Sequence, residues 1–196
     1  MTATRKIADT DVLPLAEYAK VRAERRRALT QLKKNRRLEV GPFATFYFEN
    51  FDTMLHQVQE MLFIEKGGAE QIPDELAAYN PLIPNGRELT ATVMFEIDDP
   101  VRRARVLATL GGIEHQMYLR VGGETIKGMA EDDQDRTNAE GKASSVHFVH
   151  FPFSPAQVAA FRRPDIEVLA GFGHANYGHM AVMADAVRTA LAADFD

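Results

Sequence analysis

His56 and Glu60 stand four residues apart, the spacing at which two side chains on one helix can share a metal ion or pass a proton between them. Four of the six histidines fall within residues 147–179. His147 and His150 lie in an apolar stretch that reads as a strand, where positions three apart point to opposite faces. At most one of them joins a shared site unless a bulge intervenes. His174 and His179 flank the run Ala175-Asn176-Tyr177-Gly178 within a glycine-rich turn. Five residues apart, they miss the helical i, i+4 pair but allow one ligand from a loop and a second from a helix start. His56, Glu60, His147, His174 and His179 are therefore the candidate ligands for a metal or a haem. The plainer alternative is that these histidines are exposed or hydrogen-bonded and hold nothing.

Several carboxylates raise the same choice. Glu65 falls near the end of an apolar helix face, where an unpaired acid has a raised pKa suited to proton transfer, although fraying beside Gly67 accounts for it equally well. Glu49 and Glu96 each close an apolar strand and could line one cleft, with arginine pairing as the simpler expectation. Glu131, Asp132, Asp133 and Asp135 invite a cation, but the run lacks the glycine and terminal glutamate of a calcium loop and reads as a solvated loop or short exposed helix. No Glu-x-x-His pair, Gly-x-Ser-x-Gly elbow, phosphate-binding Gly-Lys-Ser/Thr loop or dinucleotide fingerprint occurs. With no cysteine, thiolate metal sites, cysteine nucleophiles, disulfides and cysteine-ligated iron–sulfur clusters are excluded.

A net charge of −5 conceals an asymmetry: residues 1–37 carry 11 Lys or Arg against 4 Asp or Glu, and residues 38–196 carry 12 against 24. The two parts are thus about +7 and about −12. The cations concentrate on a segment after Pro14 that reads as a helix over about residues 14–36, with Arg25, Arg26, Lys33 and Arg36 as candidate docking residues. Such a face can meet an acidic partner or phosphate, or it can lie on the chain's own acidic body. The acidic balance and the lack of a flanking aromatic platform make nucleic acid an unfavoured partner.

The elements that must position these groups are readable. Residues 52–66 read as an interior helix, capped by Asp52 or Thr53 and ended by Gly67-Gly68. Met54, Val58, Met61 and Leu62 form one apolar face and Phe63 and Ile64 lie opposite, so both sides call for cover. Its polar residues, His56, Gln57, Gln59 and Glu60, then form either a structural network or a site. Residues 38–40 and 43–48 suggest a hairpin turning at Gly41-Pro42, residues 74–79 a short helix, residues 89–97 a half-buried strand, and residues 101–110 a helix opened by Pro100. Strands at 115–121 and 124–129 bracket Gly122-Gly123, a further strand spans 144–153, and a final helix is expected over about 177–193. Segregated hairpins and helices predict one α+β domain over residues 1–196: the basic helix and a body from 37 to 196 on a mainly antiparallel sheet. The N-terminus has no apolar signal region and no run approaches a membrane span, so a cytoplasmic address is expected.

The segments Phe48-Glu49-Asn50, Gln57-Val58-Gln59-Glu60-Met61-Leu62, Tyr79-Asn80, Ile83-Pro84, Glu88-Leu89-Thr90-Ala91-Thr92 and Ser144-Ser145-Val146-His147-Phe148 together resemble the bacterial domain-of-unknown-function family DUF 3501, over nearly the whole chain. The genes of that family often lie near those of rubrerythrin-like and iron–sulfur oxidoreductase proteins. The resemblance therefore implies a role beside peroxide or redox chemistry, and it supplies no catalytic residues. In a chain without cysteine, such a role needs a bound metal, a haem or a redox partner. Two functions stay open: a cytoplasmic accessory protein docking a redox partner through its basic helix, and a His/carboxylate metal- or haem-binding protein with enzymatic redox activity.

Overall fold

The computed structural model describes residues 5–131 and 136–196. In chain order the elements are α1 (Leu15–Lys34), β1 (Arg37–Val40), β2 (Ala44–Phe48), α2 (Phe51–Glu65), α3 (Ile72–Tyr79), β3 (Glu88–Phe95), α4 (Pro100–Leu107), β4 (Met117–Val121), β5 (Glu124–Lys127), β6 (Met129–Ala130), β7 (Val146–Pro152), α5 (Pro155–Arg162), β8 (Val168–Phe172), β9 (Met180–Val182) and α6 (Asp185–Ala192). They make a single α+β domain with two antiparallel sheets, of order β1-β2-β3-β7-β6 and β5-β4-β8-β9.

Period-two alternation gives the five-stranded sheet two unlike faces. Phe46 pairs with Val93, which pairs with His147, and this parity faces the second sheet. Phe46, Phe95, Phe151, Phe172 and Tyr177 fill the space between the sheets with ring contacts of 5.1–6.3 Å. The other parity, Tyr47 beside Thr92 beside Phe148, faces a helical layer. The expected strand from 124 to 129 divides between the sheets, β5 pairing with β4 and β6 with β7. Gly128 is the corner: a Cβ there would lie 2.7 Å from Val149 Cγ1 and 3.1 Å from the Met117 oxygen, so no larger residue fits without displacement.

The interior helix α2 is present, with its start shifted from the expected Asp52 or Thr53. Asn50 is the cap, its side chain accepting from the Thr53 amide at 3.0 Å while Thr53 Oγ1 accepts from the Asn50 amide at 2.9 Å. Met54, Val58 and Leu62 join Ile7, Leu76, Leu82 and Ile83 in a second apolar cluster. Cover on the opposite side is uneven. Phe63 lies edge-on to Tyr18 at 5.8 Å and beneath the Arg22 guanidinium at 4.7 Å, whereas Ile64 is 62% exposed.

Two further expectations change. Residues 180–182 pair with β8 before the last helix, which begins at Asp185 rather than near 177. Helix α5, capped by Ser154 with Pro155 in its first turn, has no counterpart in the sequence reading, because eight residues give too short an apolar period. Of the acidic stretch near residue 131, Asp132, Asp133 and Asp135 lie outside the described residues.

Candidate functional site

The polar residues of α2 are drawn to α1, which packs against it with its start beside the end of α2. Glu60 is the hub. Oε1 accepts from Tyr18 Oη at 2.6 Å and Arg22 Nε at 2.8 Å, and Oε2 accepts from Arg22 Nη2 at 2.8 Å. This forked guanidinium, with Tyr18, holds the Glu60 carboxyl at about 2, well below its ordinary value. Burial pushes the Tyr18 phenol up, and the hydrogen bond to Glu60 adds to that. Gln59, fully buried, clasps the Leu13 backbone, its Nε2 donating to the Leu13 oxygen at 3.0 Å and its Oε1 accepting from the Leu13 amide at 2.8 Å. The i, i+4 pair His56 and Glu60 does sit on one helix, but Arg22 and Tyr18 occupy both carboxylate oxygens. Burial lowers the pKa of His56, with the nearby cations Lys33, Arg26 and Arg22 acting in the same direction against Glu60.

The candidate docking residues divide. Arg26 is exposed and Arg25 and Lys33 are half-buried, and none of the three forms an ion pair among the described residues. Arg36 does not stand on this face. It is 3% exposed, donates through Nε to the Phe48 oxygen at 3.0 Å and through Nη2 to the Glu49 oxygen at 2.9 Å, and pairs with the buried Asp194. Burial raises the Asp194 pKa despite the pull of Arg36. Position 36 follows the end of α1, where the chain turns inward to start β1, and this removes it from the helical surface. Between α1 and α2 runs a groove of about 440 Å³, floored by Ala28, Leu29, Leu32 and Leu55 and edged by Arg25, Asp52 and His56.

The C-terminal histidines divide: His174 meets the loop after α4, and His179 stands beside the turn between β1 and β2. His174 Nδ1 accepts from the Asn176 amide at 3.2 Å, which leaves the ring proton on Nε2, 3.2 Å from the Gly111 oxygen. The ring of His179 packs edge-on to Tyr177 at 4.6 Å. Tyr177, which the sequence reading did not single out, holds the β1–β2 turn: its Oη donates to the Val40 oxygen at 2.8 Å and accepts from the amides of Phe43 and Ala44 at 3.0 Å each. Gly41, at φ +72°, makes room for it, since a Cβ would lie 2.7 Å from the His179 ring. His179 precedes a strand, not a helix. His147 is fully buried between the sheets with Nε2 2.9 Å from the Ser144 oxygen, and His150 faces the other way. Among the described residues, no three His, Asp or Glu side chains are grouped to hold a metal ion.

Among the described residues, Glu49 and Glu96 do not form the expected arginine pairs. Glu96 accepts from Thr45 at 2.6 Å and Tyr47 at 2.9 Å, and Glu49 accepts from Thr92 at 2.7 Å. Glu65 is exposed and accepts from Gln71 at 2.6 Å.

Comparison with known proteins agrees with this fold and carries no activity with it. No curated protein matches. The crystal structure of a novel protein of unknown function from Burkholderia pseudomallei K96243 is 34% identical over 100% of both chains, with a TM-score of 0.89. The family model described as a protein of unknown function (DUF3501) matches residues 6–195. The chain belongs to the DUF3501 family.

Proposed function

We propose that this chain is a cytoplasmic accessory protein that docks a redox partner, rubrerythrin-like or iron–sulfur, through the outer side of α1. The observation that carries this reading is the groove between α1 and α2, whose apolar floor is edged by Arg25 and lies beside Arg26, cations without an ion pair among the described residues. Its inner side is already spent on Tyr18, Arg22 and Glu60, which fix the helix rigidly enough to present the outer side. An apolar floor with Arg25 on a rim that also carries Asp52, and with Arg26 next to it, fits a partner segment carrying hydrophobic and acidic side chains. No helix is long and apolar enough to cross a membrane among the described residues.

The test is a titration of the purified rubrerythrin-like or iron–sulfur protein against the wild type and an Arg25→Glu, Arg26→Glu variant. Roughly tenfold or greater weakening in the variant, and binding that loosens with salt, is expected. Equal binding by both proteins, or competition by single-stranded RNA at the same site, overturns the reading. The alternative of a metal or haem protein would have to work around the occupied atoms of Glu60 and His174. A stoichiometric metal or a haem band in tag-free protein would reinstate it.

A further inference from the structure

Beneath α2, against the outer face of the five-stranded sheet, lies a second cavity, of about 370 Å³. Its floor is a rung of the sheet, Tyr47 beside Thr92 beside Phe148, with Met94 next to it. Met54 and Gln57 of α2 and Tyr79 at the end of α3 form the opposite wall, and Lys33 reaches it from the end of α1.

Glu49 lines this space for a reason of parity. It continues the 45, 47 alternation of β2 onto the outer face, held by its amide to the Thr90 oxygen at 2.9 Å, before Asn50 starts α2. The side chain is 4% exposed and its two oxygens differ: Oε1 accepts from Thr92 at 2.7 Å, while Oε2 is buried with no donor among the described residues. An unpaired buried carboxylate oxygen lowers stability until a donor reaches it. Lys33 lines the same cavity but forms no ion pair with Glu49, and it stays half-exposed.

We propose that this cavity binds a small primary amine with an aromatic or branched aliphatic body, its ammonium donating to Glu49. The lining suits that class on three counts. A mostly apolar wall with a few placed polar groups is the usual form of a small-molecule site, and the volume sets a small ligand. Aromatic rings at Tyr47 and Tyr79 favour a cation beside them, whereas the Phe148 ring already has the Arg136 guanidinium over it at 4.9 Å. Met54 and Met94 adapt to the shape of the body. The Lys33 ammonium in the same lining repels positive charge, so a ligand with a single ammonium, seated at Glu49, fits better than a polyamine. Lys33 thus belongs to this cavity and not to the groove edged by Arg25, and binding here does not involve Arg25 or Arg26.

Calorimetric titration at neutral pH with phenethylamine and with 3-phenylpropionate tests it, using the full chain. The wild type should bind the amine about tenfold or more tightly than the acid. Glu49→Gln, which keeps the shape, should lose that preference, and Met94→Trp, which fills the cavity while leaving Glu49 in place, should abolish amine binding. The second variant keeps the test decisive if the first fails to fold. Absence of phenethylamine binding to the wild type, equal affinity for amine and acid, or unchanged amine affinity in either variant overturns the proposal.

Discussion

The two faces of the central sheet have the same strands and opposite habits, and β7 displays both within four residues. His147 points between the sheets, fully buried, its ring edge-on to Phe95 at 5.9 Å. His150 points to the outer face, 3.2 Å from Glu88 and 3.5 Å from Glu131. The inner face excludes charge and fills space with rings. The outer face carries threonines, tyrosines, a histidine and carboxylates, and the helical layer covers it incompletely. Sites for ligands and partners belong to the second kind of surface, because its polar groups border open space, whereas on the first the one unpartnered polar atom among the described residues, His147 Nδ1, is sealed among rings.

The largest contrast between the faces should appear in truncation. Phe46 is fully buried among Phe48, Phe151 and Phe172, so Phe46→Ala should cost about 3–5 kcal/mol. Met94, half-buried beside the outer cavity, should cost about 1 kcal/mol as Met94→Ala, since the space it leaves joins one already present. Urea denaturation of both variants measures the difference. Similar losses would erase the distinction between the faces.

A smaller effect tests whether the helical layer is fixed by its polar hub. Glu60→Gln keeps the shape but removes the charge that Arg22 and Tyr18 hold, and should cost about 1–2 kcal/mol at neutral pH. Because the folded Glu60 titrates at about 2 against an ordinary 4.5, its contribution is present above 4.5 and is lost as pH falls from there toward 2. Wild type and variant should therefore converge in stability across that window. A gap that persists at pH 2 would assign the loss to packing instead.

How much of this was legible depends on the distance between partners. The hairpin read over 38–40 and 43–48 follows from aromatic, β-rich composition and the Gly41-Pro42 turn, the strand over 89–97 from alternation, and the interior character of α2 from its two apolar sides. Glu49 reads with Glu96 as a cleft residue from its place at a strand end, behind the simpler expectation of arginine pairing; of the two, only Glu49 lines the cavity. Arg36 was not legible: its partner Asp194 is 158 residues away, and a cation at the end of a basic helix looks like its exposed neighbours. Glu60 could be placed on the correct helix face, but whether it met a metal, a proton acceptor or Arg22 depended on how α1 packs. Tyr177 carried a faint signal, an aromatic residue inside a glycine-rich turn, and its three backbone partners lie more than 130 positions earlier.

The smallest effect is the one that separates the two histidines of β7 directly. Burial lowers the His147 pKa, so a proton binds the unfolded chain more readily. Its contribution to stability is therefore lost as pH falls below the ordinary value of 6.5. For His150 the hydrogen bond to Glu88 leads, and it raises the pKa against burial. That contribution is full below 6.5 and is lost as pH rises through the raised value. The slopes thus oppose each other across one strand. His150→Gln should destabilise by about 1 kcal/mol at pH 6, with the difference from wild type shrinking at higher pH. Ring-proton NMR should show His150 titrating with a midpoint above 6.5 while His147 stays neutral well below it. Two histidines titrating together near 6.5 would mean that water reaches both faces alike, and the division of the sheet into a dry side and a receptive side would fail with them.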